Sequence, residues 1–382
     1  MPGPSVAIFH QPSRDGDPPL TRLLAEARGH LVEHQSCLFR RAGAAQVLIV
    51  PGREDGGSSR NEAPLESFGE RLARLVAEKR LAEGLIVLGS GAVPLLRAAD
   101  SLRLVQTAMS GGRQALTNNR YSSDICAVSD ARALLDLPPL PSDNALPRWL
   151  EERAGFSVAD LAGRRRLAID LDTPLDLAVL ALTRSAPRGL TQLAAEHGIA
   201  VPRLDELRDL AADPRRELLV FGRSGSGTLR WLERNVRCRV RFLAEERGLR
   251  ASSPLATGGE TRSSQIPRLP RATLGRLLDA RGPEALATTV AELADGAILD
   301  TRVLMADRLG ADEDAWPSPE DRFACDLLHA ERVDDPWLRA ITQAAGDAPI
   351  PILLGAHTLV GPGIPVLLRG VRRPSTTART AP

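Results

Sequence analysis

The chain has 382 residues, and lysine is nearly absent: of its 49 basic residues, all but Lys79 are arginine. Lys79 lies on the polar face of the helical stretch "LVAEKRLAEG", so chemistry that needs a Schiff-base or P-loop lysine has no suitable residue. Aromatic residues make up 3%, too few for a groove that stacks single-stranded bases. A formal charge of +1 gives no global pull toward nucleic acid or anionic lipid, and neither is expected as a partner. The four cysteines, Cys37, Cys126, Cys238 and Cys325, are scattered, with no C-x-x-C pair and no zinc-type cluster. They read as reduced thiols of a cytoplasmic protein. "MPGPSVAIFHQPSRDGD" has no basic n-region and too short an apolar run for a signal peptide, and no run reaches membrane-spanning length. What is present, 43% hydrophobic and 25% charged residues, suffices for a full core and for two domains.

The first half alternates strand and helix patterns. "SVAIFH" is a short apolar run, and "HLVEHQSCLFRRAGA" has helical spacing before the β-branched run "QVLIV". After the Gly/Ser-rich loop "PGREDGGSSRNEAP" the pattern repeats as the helix "LESFGERLARLVAEKRLAE" and the strand "GLIVLG". "AADSLRLVQTAM" and "NALPRWLEERAG" read as helices, Asp124 to Val128 as a strand, and "RRLAID" as another. Repeated β-α-β predicts a mostly parallel, Rossmann-like sheet covered on both faces. The pattern restarts near Ser185, which divides the chain into residues 1–184, a second α/β domain over 185–370, and a flexible tail over 371–382. The second part opens with paired helices and carries a βαβ unit, "ELLVFG", "GTLRWLERNV" and "CRVRFLAEE". Further strands fall in "AILD" and "IPILLG". Arg250 to Pro270, polar and rich in Ser, Gly and Pro, reads as a mobile loop.

The stretch "RRRLAIDLDTPLDLAVLAL" is the most informative. It reads as a strand that ends on Asp170 and Asp172, then a helix capped by Thr173 with Pro174 in its first turn. Acids at the C-terminal edge of an α/β sheet commonly hold Mg²⁺ against a phosphate. Equally, Asp172 serves as a helix cap and Asp170 as a solvated strand end.

Together, "GHLVEHQSCLFRRAGAAQVLIV", "GLIVLGSGAVPLLRAAD" and "LAIDLDTPLDL" resemble nucleotidyltransferases of the GT-A type, similar to molybdenum-cofactor guanylyltransferase-like and 2-phospholactate guanylyltransferase-like enzymes. The resemblance covers roughly residues 5 to 183. It implies a three-layer α/β/α fold of the nucleotide-diphospho-sugar transferase type. It also implies transfer of a nucleoside monophosphate from a nucleoside triphosphate to a small phosphorylated metabolite, with Mg²⁺ held by Asp170 and Asp172. The sequence departs from that family in two places. The loop after the first strand has one glycine, Gly16, and no lysine, leaving Arg14, Arg22 or Arg28 to meet the triphosphate. At the family's first metal carboxylate stands Ala92, or Gly91. These losses keep open a second reading, a non-catalytic sensor of a nucleotide or phosphometabolite.

Four further groups are candidates. Gly89, Ser90 and Gly91 follow a strand and either present N–H groups to a phosphate or form a tight turn. Asn118, Asn119, Arg120, Tyr121, Ser122, Ser123 and Asp124 form a dense polar loop, either solvated or reading a base or acceptor. "VFGRSGSGTLRW" holds Ser224 and Ser226, either in a phosphate cradle or with Ser226 as helix N-cap. Asp300, Arg302 and His357 each follow a strand and could meet in one cleft with a chemistry of its own.

Overall fold

A computed structural model of the chain describes residues 3–51, 66–140, 142–161, 163–246 and 270–371. Most of the Gly/Ser-rich loop after Pro51, the stretch from Arg250 to Leu269 and the tail after Val371 lie outside them. The first sheet contains β1 (Ser5–His10), β2 (Gln46–Pro51), β3 (Leu85–Gly89), β4 (Gln114–Thr117), β5 (Ile125–Val128) and β6 (Ser157–Asp160), in the order β2-β1-β3-β5-β4-β6. Only β5 runs antiparallel to its neighbours. Alternation along the strands feeds both faces. Val6, Ile8, Ile86 and Leu88 pack against α1 (Pro19–Ala42) and α3 (Ala98–Ala108), while Ala7, Leu85 and Val87 pack against α2 (Phe68–Glu78) and α4 (Leu146–Glu152). The second sheet is wholly parallel, ordered β10-β9-β7-β8, from β7 (Glu217–Gly222), β8 (Arg239–Ala244), β9 (Gly296–Asp300) and β10 (Ile352–Gly355). Its helices are α6 (Arg188–Glu196), α7 (Leu204–Ala212), α8 (Ser226–Asn235), α9 (Thr273–Arg281), α10 (Leu286–Ala291), α11 (Thr301–Leu309), α12 (Pro319–Asp326) and α13 (Pro336–Gly346), with two single turns after β10. The mixed α/β architecture with a mostly parallel sheet and a second α/β unit is therefore present.

Three local readings need correction. No strand forms at "RRLAID". Arg165–Ala168 is one 3₁₀ turn, followed by an unpaired extended stretch into α5 (Pro174–Ala181). Buried Asp100, near the start of α3, holds Arg166 at 2.7 Å and pins this turn. The alternation of the stretch has another origin: Leu167 enters the core of the first sheet, whereas Ile169 and Leu171 enter that of the second. The segment threads between two cores. The strands β4 and β6, four residues each, went unread because so short a run carries little periodicity. Ser226 is the first residue of α8 and not its cap, which is Gly225. Thr173 does cap α5, in a capping box with Asp176.

The sheets lie on either side of residue 184, but the cores do not divide there. Leu20, Leu23, Leu24, Ala27 and Leu31 of α1, and most of α5, share one buried cluster with Leu218, Ile298 and Leu353 of the second sheet. Farther along, Val32 and Phe39 of α1 belong to the core of the first. The N-terminus of α1 has Pro18 before it and no side-chain cap of its own. Glu320, on α12, supplies one from 300 residues away: its carboxylate accepts from the N–H of Leu20 (3.1 Å) and Thr21 (3.0 Å) and from the Thr21 hydroxyl (3.2 Å).

Two outcomes follow from this sharing. Replacement of Glu320 by Ala should lower unfolding free energy by about 1–2 kcal/mol in urea titrations, the range for loss of a cap. A fragment comprising residues 1–184 exposes leucines worth about 1.5–3 kcal/mol each, against a usual total stability of about 5–15 kcal/mol. It should lack a cooperative thermal transition and bind a hydrophobic dye, and a sharp transition would show that the first sheet is self-sufficient.

Candidate functional site

In the second sheet the chain passes from β7 to β8 on one side and then crosses to β9 and β10 on the other. Such reversals open a crevice at the carboxyl ends of the two central strands, where α/β sheets bind ligands. At this point β7 ends on Gly222, whose φ of +125° and contact with Asp300 exclude a side chain: a Cβ there would overlap the Asp300 Cβ. Asp300, fully buried, accepts the Arg302 N–H at the start of α11 (3.1 Å). It also takes Nε (2.6 Å) and Nη2 (3.2 Å) of Arg223. Arg302 is held by both oxygens of buried Asp326 on α12, at 2.8 Å through Nη2. After β10, the His357 Nδ1 lies 2.9 Å from the carbonyl of Arg223. A carbonyl only accepts, so Nδ1 carries the proton and Nε2 has the free lone pair.

The segment between the two cores supplies the opposite wall. The Leu171 N–H donates to the Gly91 carbonyl (2.8 Å), at the β1/β3 crevice of the first sheet. One residue earlier, the Asp170 N–H donates to the Thr358 hydroxyl (3.3 Å) at the edge of the second. Arg28, near the middle of α1, holds this segment through the Leu171 carbonyl (2.9 Å) and Asp172 (3.0 Å). A Cβ on Gly91 would stand 2.7 Å from the Leu171 oxygen, so the close approach needs glycine there. Between the walls is a cavity of about 320 Å³, lined by Asp170, Asp172 and Asp176 on one side and by Arg223, Arg302 and Arg322 on the other, with Arg28 and His357 at their junction. Its volume is at the lower end of the range for small-molecule sites.

The two walls differ electrostatically. Burial, with the neighbouring charges of Asp124 and Asp172, pushes the Asp170 carboxyl well above the usual range. Burial raises Asp124 and Asp176 to about 7 and Asp143 to about 6, with Asp172 adding repulsion to each. On the arginine wall, burial works against ionised Asp300, but Arg223 and Arg302 outweigh it and hold its pKa low. Burial and the Arg223 charge depress His357, which is neutral at pH 7. Asp170 Oδ1 is buried without a hydrogen-bond partner, an unsatisfied acceptor suited to a cation. Among the described residues no three His, Cys, Asp or Glu side chains come together closely enough to hold a metal ion. Asp170 and Asp172, the two acids singled out from the sequence, both line the cavity, and a Mg²⁺ ion held by them would need phosphate or water oxygens to complete its shell.

The other candidate residues lie elsewhere or are already engaged. Arg14 is exposed, its N–H bound to Asp17 of its own loop. The Gly89, Ser90 and Gly91 stretch is a turn whose Ser90 and Ala92 N–H groups donate to Phe9 and Gly89 carbonyls, which leaves neither for a phosphate. The 118–124 loop satisfies itself. Asn118 bonds Asp124 and the Leu167 carbonyl, Asn119 accepts the Tyr121 N–H, and Arg120 pairs with Glu151. Ser122 bonds Asn144, and Ser123 bonds Thr117. Ser224 Oγ is buried without a partner, and neither Ser224 nor Ser226 lines the cavity. Arg302 and His357 line the cavity with Asp170 and Asp172, and Asp300 is buried behind them, bonded to Arg223 and to the Arg302 N–H. Sequence reasoning missed Arg223, Arg322 and Asp176. Arg223 directly follows the conspicuous Gly222, a signal that could have been used, whereas Arg322 sits in an ordinary polar helix and gives none.

No protein-family model matches the chain, and no curated protein matches it. Among solved structures it is similar to a Desulfovibrio desulfuricans G20 protein provisionally named a nucleotide-diphospho-sugar transferase, at 16% identity and a TM-score of 0.37, over 52% of this chain and 97% of that one. The architecture described above rests on the strand order itself. Among the described residues no helix is long and apolar enough to cross a membrane.

Carboxyls with raised pKa bind more protons in the native state than in the unfolded chain between about pH 4 and pH 7, so their contribution to stability is lost as pH rises through that window. Melting temperature should therefore fall from pH 5 to pH 8 in the absence of divalent cations. For Asp124→Asn, which cannot ionise, the difference from the parent should widen in favour of the variant as pH rises. Parallel curves for the two proteins would show that Asp124 does not titrate in this range.

Proposed function

We propose that the cleft binds a nucleoside triphosphate with Mg²⁺ beside a small phosphorylated metabolite, and that the chain is a divergent nucleotidyltransferase. One observation supports this above the others: Asp170, with its unpartnered buried oxygen, faces arginines across a single cavity. The unpartnered Asp170 oxygen can accept a cation, and guanidinium groups are the usual partners of phosphate oxygens. A magnesium-bound phosphate satisfies both. Asp170 and Asp172 would hold the ion, which when bound neutralises charge on the phosphate oxygens. Arg28 orients Asp172 and adds positive charge at the junction. In the reaction an acceptor oxygen bonds the α-phosphorus, the bond from that phosphorus to pyrophosphate breaks, and pyrophosphate leaves. The four free thiols agree with a reducing, cytoplasmic setting.

The sensor reading is also supported by a specific observation: the turn at Gly89 uses its Ser90 and Ala92 N–H groups internally, and among the described residues no three His, Cys, Asp or Glu side chains are grouped to hold a metal. Release of pyrophosphate distinguishes the readings once binding is established. At millimolar concentration with Mg²⁺, at least one of the common nucleoside triphosphates should raise the melting temperature, since a ligand of the native state stabilises by mass action. Asp170→Asn should keep the fold and lose the Mg²⁺-dependent part of that shift. No shift with any triphosphate would remove both nucleotide readings. Binding with unchanged Mg²⁺ dependence in Asp170→Asn would remove this acid from the site.

A further inference from the structure

We propose that Arg223, Arg302 and Arg322 form a phosphate-monoester subsite on the second lobe, one that works without a metal ion and receives the phosphorylated metabolite instead of the triphosphate. The proposal rests on the reading of the cleft as a site for phosphorylated ligands, and it assigns the half of the cleft that the resemblance does not reach. The three guanidinium groups come from three elements, the end of β7, α11 and α12, and all line the cavity.

The state of their donors carries the argument. A guanidinium has five N–H bonds in a rigid fork. Arg223 gives Nε and one edge of Nη2 to Asp300, which leaves Nη1. Arg302 gives Nη1 and Nη2 to Asp326 and Nη1 also to Thr301. These two are fixed in place by buried carboxylates, which is the pre-organisation that anion recognition needs. Arg322 is different: it pairs with Glu313 at 3.3 Å, and its Nε is buried with no hydrogen-bond partner. Burial and the nearby charge of Arg302 lower the Arg322 pKa. A mostly desolvated guanidinium that feels the charge of a second one, and whose Nε has no acceptor, can take a further anion besides Glu313.

The anion is a compact dianion. Three guanidinium groups lining one cavity match the three terminal oxygens of a phosphate monoester better than the two of a carboxylate. A long polyphosphate placed here without metal would bring its remaining oxygens against Asp170, Asp172 and Asp176 on the opposite wall. Glu313 weakens the subsite by partly neutralising Arg322.

Isothermal titration with inorganic phosphate in excess EDTA tests this on the full chain. The parent should bind phosphate and not acetate. Arg322→Gln should weaken phosphate binding about tenfold, as expected for loss of a charge-assisted hydrogen bond. Glu313→Gln should strengthen it, and this variant keeps the test decisive if Arg322→Gln folds poorly. Asp170→Asn should bind phosphate as well as the parent or better. The proposal is overturned if the parent binds no phosphate in EDTA, if acetate binds equally, if Glu313→Gln and a folded Arg322→Gln both match the parent, or if Asp170→Asn abolishes binding. Phosphate binding that follows these expectations, with no triphosphate binding in Mg²⁺, would leave the subsite standing and remove the nucleotide reading. Triphosphate binding without phosphate binding would do the reverse.

Discussion

Helix α1 is the element on which the rest of the molecule depends, because one 24-residue helix is packed into two cores. Its first half lies against the second sheet and its second half against the first, over a length of about 36 Å. A helix so divided cannot shift to suit one lobe without loosening the other. It also carries Arg28, so the position of the segment from Ile169 to Thr173 is set by the same packing. Capping of its N-terminus by Glu320 ties α12 to it, and α12 in turn presents Arg322 to the cleft and Asp326 to Arg302. Packing, cap and site geometry thus form one connected arrangement.

That arrangement explains why the cleft can hold so much charge. Burying an ion pair seldom adds net stability, since desolvation offsets the attraction. The Arg223–Asp300 and Arg302–Asp326 pairs are thus weak candidates for structural struts, and their place at the strand-order reversal points to a ligand. The carboxyls opposite are more telling still. Asp170 and Asp176, which line that wall, have pKa values raised by burial, a cost to the folded state near neutral pH that a bound cation or proton relieves. Uncompensated acids on one wall and nearly compensated arginines on the other are the contrast on which the proposed metal and phosphate ligands rest.

Several elements were legible because their signals are local. The apolar runs of β1, β2, β3, β7 and β10 are continuous enough to identify without partners. Thr173, Pro174 and Asp176 spell a helix start in four residues, and the structure has the capping box there. By contrast, β4 and β6 exist because a neighbouring strand is available to pair with four residues of otherwise ordinary sequence. "RRLAID" shows the converse. Its alternation is real, but alternate residues are buried in different cores, so the pattern of a strand arises with no strand partner.

The sequence by itself determined the α/β character, the strand-helix succession and the presence of acids in front of α5, since propensity, periodicity and caps act within a few residues. Tertiary structure decided which charges meet. Asp170 and His357 are 187 positions apart, and Glu320 caps a helix 300 residues away. Arg14 and Arg322 are chemically identical, yet one is solvated and the other presses on a cavity. The Coulomb and desolvation energies that separate such residues depend on distance and burial, which a linear order of amino acids does not contain.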